Sequence, residues 1–151
     1  MFGTGSALGL LPAAPEDNRP DWTDLVTGKL TLKNPRLPNS DPVEVVAWAG
    51  SGALHLHIPE GLQTQLRLEA IGTREVTCED GTRKVVPYVG PIELRFKNRI
   101  GFCGALVIGD QVLLRTMPME DMDLNIIAIT RTLDVNPESP NIASSIAKSP
   151  H

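Results

Sequence analysis

The sequence predicts an all-β domain, and three observations carry that expectation. Aromatic residues make up only 4% of the chain, so its core must be aliphatic. Thirteen glycines and thirteen prolines interrupt 151 residues, which favours many short elements joined by turns. Several short runs alternate apolar with polar residues, the period of half-buried strands. A chain of this length buries about 68–70% of its unfolded surface around a single core, so one domain is expected.

Residues 1–22 are rich in Gly, Pro and Ala without a period and read as a disordered leader. The domain is expected over residues 23–138, with a Pro- and Ser-rich tail over 139–151. Val26, Gly28, Leu30 and Leu32 alternate with Thr27, Lys29, Thr31 and Lys33, a first strand that stops before Pro35 and Pro38. Residues 43–49 are apolar except for Glu44, which predicts a strand buried on both faces. It runs into the small-residue turn Gly50-Ser51-Gly52. Pro59 suits the first turn of a helix, and Leu62 and Leu66 lie one turn apart, so a helix is expected over 59–68. Asp80-Gly81, between strand-like residues 75–78 and 83–86, is the strongest hairpin signal in the chain. Ile92, Leu94 and Phe96 then alternate with Glu93, Arg95 and Lys97, and an apolar strand follows over 102–108. A short strand at 112–114, a helical segment over 118–124 and late strands at 125–129 and 132–135 complete the pattern. Seven or eight strands with one or two helices fit a closed or nearly closed barrel.

Charge and composition narrow the classes of partner. A net charge of −4 and a pI near 5.3 give no electrostatic reason to expect nucleic acid or an anionic membrane surface. No apolar run approaches the ~20 residues needed to span a bilayer. The apolar residues 7–11 have no Lys or Arg before them, which makes a poor signal peptide, and a cytoplasmic protein is expected. Cys78 and Cys103 are too few for a disulfide scaffold; reduced thiols are expected, with one bridge left open.

The chemistry-bearing residues yield mostly structural readings. His55 and His57 share one face of a strand, but no third ligand sits at metal-binding spacing. Ser51 has no base placed to activate it as a nucleophile. Glu120, Asp121 and Asp123 are expected at the start of the second helix, where acids complement the helix dipole. Met117, Met119 and Met122 read as core or interface filler. Neither a metal nor another cofactor is expected.

The order of features carries more than any one of them. Gly50-Ser51-Gly52-Ala53 closes a buried strand, and Leu54-His55-Leu56-His57-Ile58-Pro59-Glu60 leads into a helix. Asp80-Gly81-Thr82-Arg83 precedes Val86-Pro87-Tyr88-Val89-Gly90-Pro91, and Phe96-Lys97-Asn98-Arg99 precedes Gly104-Ala105-Leu106-Val107-Ile108-Gly109-Asp110. Leu113-Leu114, Pro118-Met119-Glu120-Asp121-Met122-Asp123-Leu124 and Val135-Asn136-Pro137-Glu138 follow. In this order and spacing the chain resembles the retroviral-type (clan AA) aspartic peptidases, in particular their small prokaryotic branch, over roughly residues 25–148.

That resemblance implies a retropepsin-like fold, a homodimer, and one Asp-Thr/Ser-Gly-Ala turn from each subunit. Two nearby carboxylates cannot both ionise, so they share a proton; one activates water while the other polarises the scissile carbonyl. Here the family's Asp falls on Gly50, its Thr/Ser on Ser51, its Gly on Gly52 and its Ala on Ala53. Asp41 is separated from this turn by a strand and does not substitute. The resemblance makes Asp80, Gly81 and Thr82 the candidate flap, and Leu113, Leu114 and Arg115 the active-site support. Arg115 stands where the family usually has Gly and is expected to crowd the core beneath the turn; Arg67 stands where a small residue is expected at a helix end. The readings are a catalytically impaired homologue open to extended peptide, an active endopeptidase altered at residue 50, or a vestigial structural domain.

Overall fold

The computed structural model describes residues 25–147. The expected leader lies outside the described residues, as do residues 148–151 of the expected tail. Of the described residues 48% are strand and 11% helix, so the domain is mostly β. The strands are β1 (Val26–Lys33), β2 (Val43–Ala49), β3 (Leu56–Ile58), β4 (Ala70–Thr77), β5 (Arg83–Phe96), β6 (Arg99–Val107), β7 (Leu113–Leu114), β8 (Leu124–Ile127) and β9 (Thr132–Val135). Helix α1 (Glu60–Leu66) follows β3, and α2 (Thr116–Asp121) follows β7.

Seven strands form one sheet in the order β1-β2-β7-β3-β6-β5-β4. β1 also pairs with β5, so six strands close on themselves as a ring while β4 flanks it on β5. β8 and β9 form a separate antiparallel pair. Leu30, Leu56, Ile58, Leu62, Ile92 and Leu94 are buried in the single aliphatic core. β9 joins it from outside: Leu133 packs on Gly28 of β1, where a Cβ would stand 2.6 Å from Leu133 Cδ2.

Three expectations need correction. β2 is not buried on both faces: Val45, Ala47 and Ala49 point inward, whereas Glu44 is exposed and Val46 and Trp48 are half-buried. β2 pairs antiparallel with β1 on one side and through two residues with β7 on the other. Residues 83–96 form one strand, not a strand over 83–86 and another over 92–97. Pro91 is tolerated because the β5–β6 register shifts between Val89 and Ile92, and a bulge there absorbs its missing ladder donor; Pro87 pairs with Thr73 of β4 before β6 begins to pair. Gly90 makes that bulge possible, with φ 149° and space for a Cβ only 3.1 Å from the Gly104 Cα.

The third correction concerns the acids after β7. α2 begins at Thr116, earlier than expected, so Glu120 and Asp121 occupy its last turn and no acid lies in its first. The dipole argument therefore fails for them. Asp121 instead accepts a hydrogen bond from the Phe102 N–H at 3.3 Å. Asp123, just beyond the helix, accepts from Ser139 Oγ, from the Ser144 N–H at 2.9 Å and from Asn136 Nδ2 at 3.1 Å. Buried Arg99 approaches the same carboxylate at 3.8 Å and donates to the Ser139 carbonyl. These contacts tie residues 136–144 to the ring.

Candidate functional site

Turn 50–54 is held by β7, which lies between β2 and β3 in the sheet although it follows them both in sequence. The Trp48 N–H donates to the Val112 carbonyl at 2.9 Å and the Gly50 N–H to the Leu114 carbonyl at 3.1 Å. On the far side of the turn, the Thr116 N–H donates to the Ala53 carbonyl at 3.1 Å and the Met117 N–H to the Leu54 carbonyl at 3.0 Å. Backbone pairing thus grips the turn at both ends. Gly52 supplies the reversal with φ 105°, a conformation that costs other residues energy. Ser51 and Gly52 are exposed, Ala53 is half-buried and Gly50 is buried.

Of Leu113, Leu114 and Arg115, Leu114 bonds directly to the turn through Gly50, while Leu113 pairs with Trp48 and His57 on either side of it. Leu114 is fully buried in the core. Arg115 is also buried, yet its backbone is extended, with φ −113° and ψ −169°. Any residue adopts that conformation, so the backbone places no demand for glycine at position 115. Beside the turn, Leu54 and Met117 expose about half of their surfaces, at 56% and 49%. Met119 and Met122 belong to the core, so only Met117 of the three methionines faces outward.

The Asp80-Gly81 hairpin joins β4 to β5. Asp80 Oδ1 accepts from the Thr82 N–H at 3.0 Å and from Thr82 Oγ1 at 2.6 Å, and these bonds hold its carboxyl below the usual carboxylate range. Gly81 takes φ 87°, and the Cys78 N–H closes the loop on the Thr82 carbonyl at 2.7 Å. Residues 79–85 are all exposed, so the tip stands clear of the ring. At the hairpin's base Tyr88 lies over Gly104, leaving no room for a side chain there. The Arg74 guanidinium stacks on the Tyr88 ring at 4.2 Å, and His55 meets the ring edge-on at 5.9 Å. His55 follows the turn directly, so the turn and the hairpin base are in contact through one aromatic ring.

Side-chain acid–base chemistry is not assembled at the turn by the residues the sequence singled out. Gly50 has no side chain, and Asp41 stays in the exposed β1–β2 connection. Burial and the neighbouring Asp121 push the Cys103 thiol up to about 12, which keeps it protonated and unreactive. Cys78 and Cys103 are both free thiols. No group of three His, Cys, Asp or Glu side chains suited to a metal ion occurs among the described residues. None of the described helices is long and apolar enough to cross a membrane.

No protein-family model matches the chain, and a search of curated proteins finds no match. Three neighbours of the turn escape sequence reasoning. Tyr88 comes to its His55 end through strand pairing and carries Arg74 on its ring, and neither has a local signal. Leu25 comes to it through strand register: the β1–β2 pairing ends at Val26↔Ala49, and one further step puts Leu25 opposite Gly50.

Proposed function

We propose that this chain is a retropepsin-like aspartic-peptidase homologue that lacks the catalytic carboxylate and keeps a cleft suited to extended peptide. One observation carries the reading: the backbone bonds that join residues 50–54 to residues 114–117. Those two segments are far apart in sequence and are the ones that resemble the family's active-site turn and its support. Their meeting supports a common descent of the whole arrangement. The ring of strands and the projecting Asp80-Gly81 hairpin support it further.

The chemistry follows from the residue at position 50. In a symmetric dimer each subunit offers the same turn, so a glycine at that position removes both members of the dyad together. General acid–base catalysis alone contributes ~10²–10⁴-fold, and here activation of the attacking water is lost with it. Peptide binding does not need the dyad. Among the described residues β4 pairs only with β5, and a hairpin edge open in this way takes an extended peptide through main-chain hydrogen bonds. The exposed Leu54 and Met117 beside the turn suit a self-complementary contact about a two-fold axis.

The test is a paired measurement on the unaltered protein. A pepstatin-type peptide is expected to bind, by calorimetry, while casein-like substrates stay intact from acid to neutral pH. Pepstatin-sensitive, pH-dependent cleavage would overturn the loss of hydrolysis. Absence of both binding and cleavage would remove the peptide cleft and leave a structural domain.

A further inference from the structure

Glycine at position 50 is not required by the backbone. Its φ lies outside the left-handed region, unlike that of Gly52, and its N–H makes an ordinary strand bond to Leu114. A residue with a side chain is therefore compatible with the conformation of the chain. The space is not. A Cβ on Gly50 would overlap Leu25 Cδ2 and stand 3.4 Å from Leu25 Cγ, so the isobutyl group lies where a side chain would begin. Leu25 is only 5% exposed and stands outside the main core cluster, so a Cβ at position 50 would drive its terminal methyl out of the buried position it now fills. Strand register explains the contact. Residues opposite one another on antiparallel strands ordinarily pack side by side, with Cβ atoms ~4.5–5.5 Å apart. With no Cβ at position 50, Leu25 folds across the gap.

We propose that Leu25 plugs the side-chain site of residue 50, so that the two positions form one coupled unit. The turn is thereby held in a carboxylate-free form by a second residue from β1's leading end. A single Gly50→Asp exchange does not place a carboxylate in working geometry while Leu25 stands. An acid there needs a smaller residue at position 25 as well. The plug rests on packing alone; its meaning for catalysis rests on the peptidase reading above.

A double-mutant cycle tests it, with urea midpoints measured for Leu25→Ala, Gly50→Ala and the pair. Gly50→Ala is expected to lower the midpoint clearly when Leu25 is present and to leave it nearly unchanged in the Leu25→Ala background. The same cycle with Gly50→Asp is expected to show the same sign. If Gly50→Ala prevents folding beside Leu25 but not in the Leu25→Ala background, the plug is supported by yield and circular dichroism instead. Equal losses in the two backgrounds, or failure to fold in both, overturn it. Activity separates the two ideas. Coupled stability with acid-pH, pepstatin-sensitive cleavage by the Leu25→Ala/Gly50→Asp protein supports both. Coupled stability without cleavage keeps the plug and counts against the peptidase reading.

Discussion

Arg67 ends α1 with φ 54° and ψ 45°, the left-handed conformation that glycine adopts freely and other residues adopt at a cost of roughly 1–2 kcal/mol. Its N–H still closes the helix on the Thr64 carbonyl at 3.1 Å. Arg67→Gly is therefore expected to stabilise the fold by about 1 kcal/mol, since the exposed guanidinium contributes little packing. A urea midpoint that falls in that variant would show that the arginine side chain matters more than its backbone strain. Asp123 makes the opposite kind of contribution. Hydrogen bonds from Ser139, Ser144 and Asn136, with Arg99 nearby, hold its carboxyl below the ordinary value of 3.8. The folded state thus favours the carboxylate. Its stabilisation is present above 3.8 and is lost as pH falls through the lowered folded value. Asp123→Asn should lower the urea midpoint at neutral pH, with the gap to the unaltered protein narrowing on acidification past 3.8. A gap that stays constant with pH would mean that shape, not charge, holds residues 136–144.

Elements were legible where one residue type decides them. Alternation identified β1 and the second half of β5, Pro59 with Leu62 and Leu66 identified α1, and Asp80-Gly81 identified its hairpin. Boundaries failed where distant partners decide. The start of α2 is drawn back to Thr116 because the N–H groups of Thr116 and Met117 are taken by turn 50–54. β5 runs through Pro87 and Pro91 because β4, β6 and β1 each pair with a part of it. The C-terminus of α1 depends similarly on a distant residue. Asn34 is buried in the β1–β2 connection and donates to the carbonyls of Leu66 and Arg67, each at 3.0 Å. Its Oδ1 accepts from the Arg36 N–H at 2.9 Å. Asn34→Ala should cost ~1–3 kcal/mol, because it leaves the buried Leu66 carbonyl without its partner and strips the part-buried Arg67 carbonyl and Arg36 N–H of theirs. Hydrogen exchange should locate the loss in α1's last turn and residues 34–36; uniform acceleration across the ring would contradict this assignment.

At the scale of the whole molecule, the proposed dimer makes a direct prediction. Sedimentation should give a two-chain particle. Leu54→Glu together with Met117→Glu should give a folded monomer, because both side chains are about half exposed in the single chain. A dimer that survives both charges would place the contact elsewhere. Sequence alone determined the class of fold, the aliphatic core and the position of a turn without a carboxylate, because composition, alternation and turn chemistry are local properties of a chain. The meeting of residues 50–54 with 114–117, the contact of His55 with Tyr88 and the seating of Leu25 over Gly50 were decided only by tertiary structure. Each depends on strand register and packing between distant segments, and those are set by the closure of the ring rather than by any one stretch of residues.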